Sequence, residues 1–89
     1  MNDIKNIISA AQIKAARMLL AWDQVELARN AAVGVATVRR IEAATGALQS
    51  TPRIVHKISL ALETAGIEFL GTPDDMPGVR LKSRSPHKL

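Results

Sequence analysis

The apolar residues near the start of the chain are spaced as in an amphipathic helix. Residues such as Ile13 and Ala16 recur at intervals of three to four, which places their side chains on one helix face. Ser9 precedes them, and Gln12 follows Ser9 at the spacing of a capping box, in which each side chain binds the other residue's backbone amide. We therefore expect a first helix that begins after Ser9 and ends near Ala21.

A second helix is predicted to begin at Gln24. Asp23 is a good N-cap residue, and Glu26 lies three positions later, so the pair repeats the capping-box spacing. Trp22 and Leu27 flank this cap as a hydrophobic staple, a contact that sets the angle between successive segments.

A third helix is predicted for residues 35–43. Residues 31–34 interrupt the helical pattern, which then resumes with Val38 and Ile41 on the inner side and two arginines on the outer side. The second and third helices are each too short to be stable alone, so we expect them to pack on each other.

The rest of the chain predicts a fourth helix followed by strand-like segments. Thr51 supplies a cap, Pro52 suits the first helical position, and Gly66 ends the helix. Residues 67–70 and 79–82 then alternate between apolar and polar across a stretch rich in Gly and Pro. They could pair as a hairpin, which would need the helices or a second subunit behind it.

These patterns predict a mainly all-α fold of four to five helices. Whether a short C-terminal β-hairpin follows them is left open by the sequence. We expect an N-terminal arm at residues 1–8 and a helical domain at residues 9–70. Residues 71–89 would form a turn, a candidate short strand at 79–82 and a flexible basic tail. The composition, 47% hydrophobic and 22% charged, is that of a globular protein.

Charge and cysteine content narrow the function only slightly. The net charge of +4 is compatible with a polyanionic partner, but many unrelated small proteins are equally basic. The chain has no cysteine, which excludes disulfides and fits a reducing compartment. We see no signal peptide or membrane span, so a cytoplasmic protein without a membrane partner is expected.

The segment from Gln24 to Ala43 carries the most specific signal. Residues 22–24 (WDQ), residues 26–28 (ELA), Val33 and residues 36–42 (ATVRRIE) stand in the order and spacing of a known family. The chain resembles the Cro/CI-type, or Xre-type, helix-turn-helix regulators of phages and bacteria, and the resemblance covers roughly residues 13–70. It implies a lambda-repressor-like fold and DNA binding.

Two residues of the turn depart from that family pattern. Ala32 stands where the family usually has Gly, and Gly34 stands where it usually has a Ser or Thr cap. Ala32 would have to adopt a left-handed conformation at a cost of about 1 kcal/mol. Alternatively, Gly34 adopts the unusual dihedral and the third helix begins elsewhere, which would affect Val35 most.

The resemblance implies that the third helix lies in the major groove of double-stranded DNA. Arg40 would bind guanine, since a guanidinium can donate to O6 and N7 together, while Arg39 would contact the backbone. For the arginines and for Gln24 the plain alternative is a solvated helix face. The remaining expected contacts are Gln24 at a phosphate, Val35 and Ala36 at thymine methyl groups, Thr37 at a base or phosphate, and Thr45, Gln49, Thr51 and Arg53 at the sugar-phosphate chain.

Proteins of this kind usually bind as two-fold dimers, because one recognition helix reads only a few base pairs. We therefore expect a homodimer. The apolar residues left after the core is filled are the candidates for its interface: Ile67, Phe69, Leu70, Val79 and Leu81, with Ile4, Ile7 and Ile8 of the arm as a second choice.

The leading hypothesis is a transcriptional regulator of bacterial or phage origin, associated with the nucleoid, that binds a palindromic operator and represses transcription, including that of its own gene. Two alternatives stay open: an antitoxin whose segment from Gly71 onward binds a toxin, and a helix-turn-helix used as a protein-interaction module. We expect no enzyme and no cofactor, since no acid–base pair, nucleophile or phosphate loop is visible. His56 and His87 lack neighbours at ligand spacing, so no metal site is expected.

Overall fold

The computed structural model describes residues 8–44 and 50–82. These residues are 57% helical and 19% strand, so the prediction of an all-α fold is wrong and the fold is mixed α and β. The elements in chain order are α1 (Ala10–Leu19), α2 (Gln24–Ala31), α3 (Val35–Ala43), α4 (Pro52–Thr64), β1 (Ile67–Thr72) and β2 (Asp75–Leu81).

The two strands form an antiparallel hairpin in which Ile67 pairs with Leu81 and Phe69 with Val79. Gly66 ends α4 with a φ of 114°, a conformation that other residues rarely adopt. The alternating residues after it then form a strand instead of a fifth helix, since their apolar side chains can share one face of the hairpin. The hairpin also takes in residues 75–78, where the Gly- and Pro-rich composition predicts only a turn.

Gly71 creates an irregularity near the tip of the hairpin. The strand register shifts between Leu70 and Thr72, and Gly71 has a φ of +67°. A Cβ at this position would overlap the backbone oxygens of Asp75 and Met76. The tight approach of the two strands at this bulge therefore depends on glycine.

Three helices begin at the caps that the sequence predicts. The Ser9 hydroxyl accepts a hydrogen bond from the Gln12 amide at 3.1 Å, and the Asp23 carboxylate accepts one from the Glu26 amide at 2.7 Å. In both capping boxes the side chain of the third helical residue also accepts a hydrogen bond from the backbone amide of the N-cap residue. At α4 the Thr51 hydroxyl caps the helix and Pro52 takes its first position.

The core joins all four helices to the hairpin. Ile67 of β1 is only 1% exposed and belongs to the same buried cluster as the helix residues. Ile8, which the sequence assigned to an arm, is also buried in it. β1 crosses the predicted boundary at residue 70, while residues 1–7 and the predicted basic tail at 83–89 lie outside the described residues. The helical part and the hairpin therefore share one core.

Gln12 links the hairpin to α1. Its side-chain amide is buried and donates hydrogen bonds to the carbonyls of Leu70 at 2.9 Å and Gly78 at 3.0 Å. Its Oε1 accepts from the Ser9 amide at 2.9 Å. The residue that completes the capping box of α1 thus also holds both strands of the hairpin.

Candidate nucleic-acid interface

The turn between α2 and α3 adopts the first of the two predicted geometries. Ala32 is left-handed, with φ 58° and ψ 45°, whereas Gly34 has ordinary extended angles and precedes α3 without a side-chain cap. The Val33 amide donates to the Ala28 carbonyl at 3.0 Å and closes the turn. α3 therefore begins at Val35 as predicted, with no shift of its first residue.

The outer face of α3 carries the predicted reading residues. Ala36, Arg39 and Arg40 are exposed, while Val35 and Thr37 are half-buried. Among the described residues the ion pairs are Arg17–Glu42 and Arg80–Glu68, so Arg39 and Arg40 have no carboxylate partner there. The opposite face is buried and consists of Val38, Ile41 and Glu42.

A buried ion pair fixes α3 against α1. Arg17 donates to both carboxylate oxygens of Glu42, at 2.8 and 2.9 Å, and its third nitrogen donates to the Trp22 carbonyl at 2.9 Å. The two side chains are only 15% and 2% exposed. The hydrogen bonds to Glu42 raise the pKa of the Arg17 guanidinium, which is therefore charged throughout the physiological range.

Gln24 belongs to the same network. Its side-chain amide, which the sequence predicts to donate to a DNA phosphate, donates to the Glu42 carboxylate at 3.0 Å in this structure. Sequence reasoning missed both Arg17 and Glu42. The available signal was Glu42 itself, which lies on the inward stripe with Val38 and Ile41 and therefore needs a buried partner. Together the three polar side chains connect α1, α2 and α3.

The other predicted contacts lie after α3. Arg53 is exposed in the first turn of α4. Thr51, also exposed, uses its hydroxyl to cap that helix. Thr45 and Gln49 are outside the described residues.

Most residues predicted for the dimer interface pack against the chain's own core. Ile67 is fully buried, and Phe69, Val79 and Leu81 are partly buried against the core cluster. Leu70 is half-buried on the other face of the hairpin. Of the alternative set in the arm, Ile8 is buried, and Ile4 and Ile7 lie outside the described residues.

The outer face of the hairpin carries a solvent-exposed ion pair. Arg80 donates two hydrogen bonds to Glu68, one of them at 2.6 Å. These bonds hold the pKa of the Glu68 carboxyl below its usual value. The pair crosses the two strands opposite each other, which is the arrangement that stabilises an antiparallel register.

No family model, curated protein or solved structure matches this chain. Within residues 8–44 and 50–82, no group of three His, Asp or Glu side chains could hold a metal ion. None of the helices in the same ranges is long and apolar enough to cross a membrane.

Proposed function

We propose that this protein is a sequence-specific DNA-binding regulator that inserts α3 into the major groove. The observation that carries the proposal is the contrast between the two faces of α3. Its outer face presents Arg39 and Arg40 beside the small Ala36. Its inner face is buried and is held against α1 by the ion pair of Glu42 with Arg17. A firmly held helix with exposed arginines on its outer side suits base recognition in the major groove.

The outer residues divide by chemistry into base and backbone contacts. Arg40 follows Ala36 by one helical turn, so a guanine contact by Arg40 and a thymine methyl contact by Ala36 fall on neighbouring base pairs. Arg39 and Arg53 are exposed cations that suit phosphates. Gln24 stands at the first position of α2, where a helix amide has no intrahelical acceptor, so it would donate to a phosphate through its backbone while its side chain binds Glu42.

Two copies would occupy the two halves of a palindromic operator about one helical turn apart. The proposed role is repression, including control of the protein's own promoter, in the cytoplasm of a bacterium or of a phage host. Regulation would act through protein concentration, dimerisation or a protein partner.

The test is fluorescence anisotropy of the full chain with labelled DNA from upstream of its own gene, at several salt concentrations. We expect saturable binding that exceeds binding to random DNA and weakens steeply with salt. Arg40→Ala should weaken specific binding by about 1–3 kcal/mol. Arg80→Ala is the matched control, because it removes the same charge from the hairpin, and it should leave binding nearly unchanged.

The proposal would be contradicted if the protein bound every DNA weakly and equally, and if Arg40→Ala did not change this binding. It would favour the reading of this fold as a protein-interaction module. An equal loss in Arg40→Ala and Arg80→Ala would mean that net charge alone attracts DNA and that α3 does not read bases.

A further inference from the structure

Helix α4 has one large aliphatic side chain that is exposed to solvent. Leu60 is 52% exposed, although Ile58 and Leu62 on the same helix are fully buried. The hairpin, which follows α4, turns most of its apolar side chains toward the core and does not cover Leu60. An isolated exposed leucine is ordinary by itself, so its neighbours decide whether it marks a contact surface.

The titratable residues around Leu60 change from basic to acidic along α4. His56 and Lys57 lie one turn before Leu60, and Glu63 lies one turn after it, all on the same side of the helix. His56 and Glu63 are exposed, and Lys57 is half-buried. Neither ion pair of the described residues involves these three side chains. The Leu60 face, which we define as these four residues, is thus basic toward one end and acidic toward the other.

We propose that the Leu60 face binds the same face of a second copy, with the two α4 helices antiparallel and the two-fold axis at Leu60. In this arrangement Leu60 packs on its own equivalent. Glu63 of each copy then meets His56 and Lys57 of the other, since they lie at nearly equal distances from the axis along the helix. A parallel arrangement would instead place like charges opposite each other, so the charge pattern selects the antiparallel dimer.

The expected dimer is weak. One helix pair buries much less than the roughly 1,600 Å² of a standard protein interface, so the dimer should dissociate readily in the absence of DNA. The inference rests on the proposal that two copies act together but does not require DNA binding. Its test therefore leaves DNA out, and a failure of DNA recognition would not affect the result.

The test is sedimentation velocity of the full chain over a range of concentrations. Wild type should show a reversible monomer–dimer equilibrium, and Leu60→Glu should raise the dimer Kd at least about tenfold. Leu19→Glu is the matched control, because Leu19 is 42% exposed on α1 and receives the same substitution. It should leave the Kd unchanged. Circular dichroism checks that each variant is folded, which is expected because both side chains are solvent-exposed.

Charge reversal tests the orientation of the dimer. Lys57→Glu and Glu63→Lys should each weaken the dimer, because each places like charges opposite each other across the axis. The double variant restores opposite charges and should recover most of the wild-type affinity.

Three outcomes would overturn the proposal: a wild type that is monomeric at every concentration, a dimer that Leu60→Glu leaves intact, or a double variant no better than the single ones. Recovery of the dimer in the double variant supports it, because no purely structural effect of the two substitutions would cancel in this way.

Discussion

Replacing Arg17 should destabilise the protein far more than replacing an ordinary surface arginine. In Arg17→Met the Glu42 carboxylate, 2% exposed, loses its two charged hydrogen bonds and, among the described side chains, keeps the one from Gln24. Removing one partner of a buried ion pair costs about 3–5 kcal/mol, because the other charge is left in a poorly solvating environment. For a domain of this size such a loss lowers Tm by at least about 12 °C.

The assay is urea and thermal unfolding followed by far-ultraviolet circular dichroism. Lys14→Met, an exposed position on the same helix, is the control and should change stability by less than about 0.5 kcal/mol. In the double variant Arg17→Met/Glu42→Leu no charge is left buried, so most of the stability should return. A loss below about 1 kcal/mol for Arg17→Met would refute the reasoning, since exposed ion pairs contribute that little.

Four further changes test other parts of the fold. Gln12→Met removes three side-chain hydrogen bonds, two to the hairpin and one from the Ser9 amide. It should cost about 1–3 kcal/mol and speed amide hydrogen exchange in the strands more than in the helices. Ala32→Gly relieves the left-handed backbone at φ 58° and should stabilise the protein by about 1 kcal/mol in urea unfolding. Gly71→Ala should destabilise it by more than about 1 kcal/mol, and unchanged strand pairing in NMR spectra would contradict the bulge geometry. The pKa of Glu68 in the folded state lies below its ordinary value of 4.5. The stabilisation by its pair with Arg80 is therefore present above pH 4.5 and is lost as the pH falls through the folded-state pKa. Glu68→Gln should abolish this part of the pH dependence of the urea midpoint.

The beginnings of the helices could be predicted because their signals are local. Asp23 and Glu26 are three residues apart, and the capping box they form needs no other part of the chain. The same holds for Thr51 and Pro52. The left-handed turn at Ala32 was one of two predicted geometries, because no local rule decides whether alanine or the nearby glycine adopts the unusual dihedral.

The polar interior could not be predicted, because its partners are far apart in sequence. Gln12 has an obvious local role as a capping residue, and nothing in its surroundings indicates hydrogen bonds to residues 58 and 66 positions later. Arg17 and Glu42 are 25 residues apart, and each is common on a solvated helix. The hairpin depended on the same kind of information, since two short strands are stable only once a core lies behind them.

The core that Ile67 shares with Ile8 has a consequence for synthesis of the chain. α1 leaves the ribosome before the hairpin does, yet two of the Gln12 hydrogen bonds end on hairpin residues made 58 and 66 positions later. Until those residues emerge, the helices lack part of their packing partner and their apolar sides stay open to water. A chain that stops at Gly66 contains all four helices but not the hairpin, so it should remain partly folded and prone to aggregation.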